Sequence, residues 1–258
     1  MKYIILFILV LFKLQAAVVQ LPISSIDEKT KTLTIKIDRI DVGMSGFVVH
    51  HITPQHSYVV NNVVVESFDA NKSKATLKMT PFHMLDNDSV PSATYKAQVG
   101  DTVELAFGYN RALLIAPSEM IYHRITKSVQ TQWIHPDLFA TILSYTGHPS
   151  PLKSDFDKMS DATSTGLLFI YLDKKIYTID MKSFKILSIS KAPLEQKSVK
   201  LPFYTRVQKI ESSWWDWGAG TEDVKHYTPY YYKLLMKYNK ENKELLAAYK
   251  QFENGETK

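Results

Sequence analysis

The chain of 258 residues contains no cysteine. This absence excludes disulfide bonds, zinc sites built on thiolates and a thiol nucleophile. The common catalytic and nucleotide-binding motifs are absent too: there is no G-x-S-x-G, H-E-x-x-H, Walker lysine loop or G-x-G-x-x-G. Arginine is scarce, with 4 arginines against 27 lysines, and the basic residues are spread along the chain. Nucleic-acid binding favours clustered basic residues and bidentate arginine, so the composition argues against a nucleic-acid partner.

Residues 1–17 have the features of a signal peptide. Lys2 gives a short basic start, an apolar run follows, and Ala16 and Ala17 are small residues of the kind found at a cleavage site. The run is too short to span a bilayer comfortably, so we expect no transmembrane span in the mature protein. A buried first strand or an uncleaved anchor is the alternative. An exported protein without disulfides fits a bacterial cell envelope, in the periplasm or at the cell surface, better than animal secretion.

Residues 18–116 carry the pattern of short strands. Apolar and polar residues alternate around Leu33 and Ile35, and again over residues 75–79 and 103–107. Turn-forming residues at 69–74 separate two of these runs. This spacing predicts a small β-barrel or sandwich-like unit, with residues 82–96 as a surface loop.

Residues 117–217 change to helices followed by strands. Three helices are predicted, with Ser118, His135 before Pro136, and Ser154 at their starts. Residues 166–190 then read as a three-stranded meander with tight turns. The fold class is therefore α+β, with helices packed on the meander.

Residues 218–258 are predicted to form one amphipathic helix and a tail. Tyr231, Tyr238, Leu245 and Phe252 recur every seven residues, and lysines and glutamates fill the other face. We expect this helix to begin at Thr228 and Pro229, to pack on its own domain, and to end at Asn254 and Gly255. A coiled-coil stem or a partner-binding helix is the alternative.

Candidate binding residues are few. Trp214, Trp215 and Trp217 could form an aromatic platform for a carbohydrate or a peptide, or could seal the join between the meander and the last helix. Asn71 lies in D-A-N-K-S, which matches the extended bacterial N-glycosylation pattern. The same residues also favour a plain turn.

Histidines and aspartates that could suggest chemistry have simpler interpretations. His50 and His51 are neighbours on a predicted strand and point to opposite faces, so we expect no metal site there. Asp155, Asp157 and Asp161 have the spacing of a helix start and its solvated face. The sequence therefore predicts no metal, no cofactor and no catalytic residue.

Several segments together resemble a known family. In chain order they are GMSGFVVHHI, YNRALLIAPS, WIHPDLFATIL, GHPSPLKSDF, GLLFIYLDKKIYTIDMKSFKIL and LPFYTRV, between Ile23 and Trp217. They are similar to the N-terminal domain of the plasminogen-binding proteins of Helicobacter, Campylobacter and related bacteria. Longer members carry a Lys/Glu-rich extension, whereas here one helix and a short tail follow the domain.

The resemblance implies an exported cell-envelope protein without known catalytic activity. It also implies host plasminogen as a partner, with a C-terminal lysine implicated. The sequence ends at Lys258, which we take as the candidate ligand of a lysine-binding kringle. Two alternatives stay open: a periplasmic scaffold that binds another envelope protein, and a hydrolase whose site has no recognisable motif.

Overall fold

The computed structural model describes residues 18–82, 95–212 and 220–256. They form two β-sheets and five helices, so the α+β class predicted from the sequence is confirmed. None of the helices in the described residues is long and apolar enough to cross a bilayer.

The first sheet is a curled, antiparallel half-barrel of seven strands. Its spatial order is β1-β7-β4-β5-β6-β3-β2. The edge strands β1 and β2 are consecutive in the chain, and the Ile23 and Ser24 amides between them bond to opposite ends of the sheet, at Asp101 and Thr34. The strands are β1 Val19–Pro22, β2 Ser25–Asp27, β3 Thr32–Lys36, β4 Ser45–Thr53, β5 His56–Asp69, β6 Lys74–Pro81 and β7 Thr102–Leu105.

One face of this curled sheet forms its hydrophobic core. The alternation read from the sequence places every second side chain inside the curl, as at Leu33 and Ile35 on β3 and at Val103 and Leu105 on β7. The opposite face carries Phe47, Asn62 and Glu104, which lie side by side on neighbouring strands. The outer face is thus left for contacts with the rest of the chain.

The second sheet has five strands in the order β12-β11-β10-β8-β9. The meander of β10, β11 and β12 is antiparallel, while β8 pairs parallel with both β10 and β9. Asp173 and Lys174, both with positive φ, make the tight turn between β10 and β11. The strands are β8 Arg111–Ile115, β9 Gln132–Ile134, β10 Leu167–Leu172, β11 Lys175–Asp180 and β12 Ile186–Lys191.

Helices cover both faces of the second sheet. Ala112 and Leu114 of β8 pack against α1, while Leu113 and Ile115 pack into the cluster that contains the other four helices. Because β8 and β10 are covered on both sides, residues 112–115 and 167–172 are buried and apolar or aromatic without alternation. The helices are α1 Glu119–Ser128, α2 Pro136–Thr146, α3 Lys153–Thr163, α4 Tyr227–Tyr238 and α5 Lys243–Glu256.

The helix ends agree with the sequence in two cases and differ in two. Ser118 accepts a hydrogen bond from the Ile121 amide at the start of α1, and His135 accepts one from the Asp137 amide at α2. For α3 the predicted cap at Ser154 is wrong, because the N-cap is Leu152, two residues earlier, and Asp155 accepts a hydrogen bond from the Leu152 amide.

The start of α4 differs as well. The helix begins at Tyr227, and His226 rather than Thr228 is its N-cap, without a side-chain hydrogen bond. Pro229 lies in the first turn, where its missing amide hydrogen costs little.

The single C-terminal helix expected from the heptad pattern is two helices. Asn239 ends α4, where its side-chain oxygen accepts from the Ile186 amide and its nitrogen donates to the Phe184 carbonyl. These hydrogen bonds hold Asn239, where the helix is interrupted, against the start of the edge strand β12. Helix α5 continues to Glu256 and does not stop at Gly255, since one glycine costs only about 1 kcal/mol within a helix.

Candidate functional site

The binding residues predicted from the sequence fall mostly outside the described part of the chain. The structure does not describe residues 213–219, which contain Trp214, Trp215 and Trp217. It also does not describe residues 257–258, which contain Lys258. Their proposed roles stay predictions.

Asn71 lies in an exposed turn between β5 and β6. The turn is a short 3-10 helix over Ala70–Lys72, and the Asp69 carboxylate accepts hydrogen bonds from the amides of Asn71 and Lys72. Asp69 therefore has a structural role that is independent of any modification. The Asn71 side chain is exposed.

His50, His51 and His56, which are neighbours in the sequence, do not share one site. His50 contacts the Asp101 carboxylate at 2.7 Å, while His51 is exposed and the His56 ring contacts the Thr53 hydroxyl. No group of three or more potential metal ligands lies close together within residues 18–82, 95–212 and 220–256.

A second histidine–aspartate pair joins two helices. The His148 ring lies 2.9 Å from the Asp155 carboxylate, which is fully buried and also accepts from Thr146 and from the Leu152 amide. The expectation that Asp155 belongs to a solvated face is wrong, because this carboxylate satisfies donors between the end of α2 and the start of α3. Its bonding is that of a structural group.

A cleft of about 670 Å³ lies between the outer face of the half-barrel and helix α3 in the described part of the chain. This volume lies within the range of about 300–1,000 Å³ that small-molecule sites occupy. Three phenylalanines, Phe47, Phe82 and Phe107, line the sheet side. The Phe47 ring meets the other two edge-to-face, at centroid distances of 5.8 Å and 5.4 Å. Phe107 is 46% exposed, which leaves a large apolar surface open to the cleft.

The wall formed by α3 is charged. Lys153, Asp157 and Asp161 recur at four-residue spacing and therefore share one helix face. Lys153 contacts Asp157 at 2.6 Å, and Asp161 pairs with Lys182 from the turn after β11. Burial raises the pKa of Asp157, although the Lys153 ammonium acts to lower it.

The floor of the cleft is the contact between the two sheets. The Asp180 carboxylate at the end of β11 is fully buried and accepts from the Ser45 amide, the Ser45 hydroxyl and the Tyr109 hydroxyl, at 2.9, 2.7 and 2.7 Å. Its other oxygen accepts from the Ser183 amide at 2.7 Å. Burial, followed by the negative charge of Asp180, strongly raises the pKa of Tyr109.

Glycines allow this close approach. A Cβ at Gly46 would collide with the Glu104 carbonyl, and a Cβ at Gly166 would collide with the Phe107 carbonyl. The backbone at the floor is therefore packed too closely for any larger residue at either position.

Comparison with known proteins gives the family. The chain is 27% identical over 219 residues to the plasminogen-binding protein PgbA of two strains of Helicobacter pylori, which covers 83% of this chain and 47% of each relative. The chain thus spans about half the length of the curated relatives it matches. No solved structure is similar to it. The family described as "Plasminogen-binding protein pgbA N-terminal" matches residues 18–235, and this chain therefore belongs to that family.

Proposed function

We propose that this protein is an exported, non-enzymatic binding protein of the bacterial cell envelope that binds plasminogen through lysine side chains. Family membership over residues 18–235 carries the proposal, and the relatives it matches are named as plasminogen-binding proteins rather than as enzymes. The three described histidine–aspartate pairs, His50–Asp101, His135–Asp137 and His148–Asp155, support a non-enzymatic role, since none of them lines the cleft.

The recognition chemistry follows from the shape of a lysine ligand. A kringle's lysine pocket binds an ammonium with paired carboxylates, an aliphatic stem with aromatic rings, and a carboxylate with basic residues. In a chain that ends at Lys258, this residue supplies all three parts. An internal lysine supplies the ammonium and the stem only, so we expect it to contribute less.

Internal lysines with free ammonium groups lie on helix α4 and in the turn after it. Lys233 and Lys237 are exposed on α4, and Lys240 is exposed in the turn that follows Asn239. Within the part of the chain that the structure describes, none of them forms an ion pair, and Lys237 lies over the Tyr238 ring. A plasminogen carboxylate would not have to displace an existing partner at these positions.

The test is binding of plasminogen to the immobilised full chain, measured by surface plasmon resonance. We expect deletion of Lys258 to weaken binding about tenfold, the effect of losing a charge-assisted contact of about 1.4 kcal/mol. Replacement of Lys233, Lys237 and Lys240 by glutamine should weaken the residual binding further. A free lysine analogue should compete with the intact protein.

A matched triple variant controls for the loss of positive charge. Lys72, Lys197 and Lys209 are 73%, 76% and 75% exposed, and each has a carboxylate within 4 Å. Their replacement by glutamine should leave binding unchanged. If the intact protein does not bind plasminogen, or if deletion of Lys258 and the lysine analogue both have no effect, the lysine mechanism is wrong. A scaffold that binds another envelope protein then takes its place.

Export is tested separately. Protease treatment of intact cells removes a surface-exposed protein and spares a periplasmic one, so it places the mature protein on one side of the outer membrane. Protein found in the cytoplasmic fraction would contradict export.

A further inference from the structure

We propose that the cleft between the half-barrel and helix α3 binds a primary ammonium group carried on an apolar stem. This is the chemistry of a lysine side chain in a peptide and also of a free alkylamine. The inference does not depend on plasminogen binding, because it concerns a cation bound by this protein rather than a lysine that this protein presents.

The first argument is the charge balance of the cleft. The charged residues of the described chain that line it are three carboxylates, Asp157, Asp161 and Glu104, and two ammonium groups, Lys153 and Lys182. Both lysines are already paired, with Asp157 and Asp161. Among the side chains of residues 18–82, 95–212 and 220–256, Glu104 contacts only the neutral amide of Gln20, at 2.7 Å. The site therefore has one carboxylate in excess and accommodates a cation without displacing a pair.

The second argument is the apolar wall. Glu104 lies directly opposite Phe47 on the neighbouring strand, so the excess carboxylate and the phenylalanine cluster occupy the same face. An aliphatic stem that packs on Phe47 and Phe107 would place its ammonium near Glu104. The ring faces also attract cations, by about 0.5–1 kcal/mol at exposed positions.

The third argument is the state of Asp157. Burial raises the pKa of this carboxyl even with Lys153 beside it, so its negative charge is incompletely compensated. A cation in the cleft would lower the energy of that charge. An anion would meet both the excess carboxylate of Glu104 and the carboxylate of Asp157, which disfavours anionic ligands.

Ligands that share one apolar stem but differ in charge separate binding of the ammonium group from binding of the stem alone. The full chain is titrated with hexylammonium, hexanoate and hexanol, and binding is followed by calorimetry and by NMR shifts of the cleft residues. We expect hexylammonium to bind at least tenfold more tightly than hexanoate, with hexanol between them. N-acetyl-lysine amide, tested alongside, shows whether a lysine side chain in a peptide binds as a free alkylamine does.

Two variants test the named residues. Glu104→Gln keeps the shape and the acceptor for Gln20 but removes the charge, and should weaken hexylammonium binding three- to tenfold without affecting hexanol. Glu66→Gln, at an exposed carboxylate of β5 outside the cleft, is the matched control and should have no effect. Phe107→Ala should weaken binding of all three ligands.

The proposal is overturned if hexanoate binds as tightly as hexylammonium, if the shifted resonances lie outside the cleft, or if hexylammonium does not bind at millimolar concentration. Equal effects of the Glu104 and Glu66 variants would also refute the assigned role of Glu104.

Discussion

Asp180 holds the two sheets together, and its removal should destabilise the whole molecule. Its carboxylate is fully buried and accepts four hydrogen bonds: two from Ser45 on the half-barrel, one from Tyr109, which packs in a core cluster of the second sheet, and one from the Ser183 amide. Asparagine has nearly the same shape, but its amide NH₂ replaces one carboxylate oxygen and faces the N–H or O–H groups that donated to that oxygen. The variant therefore loses both the charge and at least one acceptor.

The magnitude follows from the bonds that are lost. A hydrogen bond to a charged group contributes about 1.5–3 kcal/mol, and a buried donor without a partner costs about 1–3 kcal/mol. We expect Asp180→Asn to lower the free energy of unfolding by about 2–3 kcal/mol and Asp180→Ala by about 3–5 kcal/mol. Tyr109→Phe removes a single bond and should cost about 1–2 kcal/mol.

Urea unfolding followed by tryptophan fluorescence measures these differences. Asp173→Asn is the matched control, because Asp173 is exposed in a turn with positive φ, where asparagine is equally acceptable. It should change stability by less than about 0.5 kcal/mol. In a double-mutant cycle, Tyr109→Phe should cost little in the Asp180→Asn background, since the shared bond is already lost.

Two outcomes are informative. If the free energy of unfolding of Asp180→Asn lies within about 0.5 kcal/mol of the wild-type value, the buried carboxylate does not hold the sheets together and the reasoning is refuted. If Asp180→Ala unfolds in two separate steps, the half-barrel and the second sheet are stable on their own once the link is broken.

Three further predictions concern other parts of the chain. Burial acts to raise the pKa of Asp137, but hydrogen bonds from Arg206 and Thr205 lower it to about 2. Its contribution to stability, about 1–2 kcal/mol, is therefore present above pH 4 and lost as the pH falls towards 2, and urea unfolding of Asp137→Asn should show a weaker pH dependence over that range. Identical pH profiles would contradict this. Limited proteolysis should cut within residues 82–96 or 190–200 before it cuts near the buried Ala116. Early cleavage into halves at Ala116 would refute the prediction that the β-rich part, residues 18–116, and the α+β part, residues 117–217, stay packed as one unit. If Asn71 is glycosylated, the mature protein from its native source has an added glycan mass that Asn71→Gln abolishes. An unshifted mass ends that idea.

The parts of the fold that depend on local pattern could be predicted, and those that depend on distant pairing could not. The alternation around Leu33 and Ile35 involves only neighbouring residues, and so does the cap at Ser118. The structure has a strand and a helix at these positions. The parallel pairing of β8 with β9 and β10 joins segments far apart in the chain, and no local signal specifies it. The heptad pattern did not reveal the break at Asn239, because that break depends on bonds to Phe184 and Ile186.

The cleft was missed for the same reason. Its walls come from β4, β7 and α3, and its floor joins Ser45 to Asp180, 135 residues later. In the sequence Phe47 and Glu104 are ordinary strand residues, and Asp157 and Asp161 look like the solvated face of a helix. Only the folded arrangement shows that these side chains face each other.

The position of the cleft also connects binding with stability. A ligand that contacts Phe47 or Glu104 on one wall and Asp157 on the other bridges the half-barrel and helix α3, close to the Ser45–Asp180 contact between the sheets. Such a ligand binds only when both walls are in place, so it stabilises the folded state by about 2.7 kcal/mol at a concentration 100 times its dissociation constant. Hexylammonium should therefore raise the unfolding midpoint of the wild type, and should recover part of the stability lost in Asp180→Asn. If hexylammonium stabilises the wild type but not Asp180→Asn, the hydrogen bonds of Asp180 are needed to form the cleft as well as the contact between the sheets.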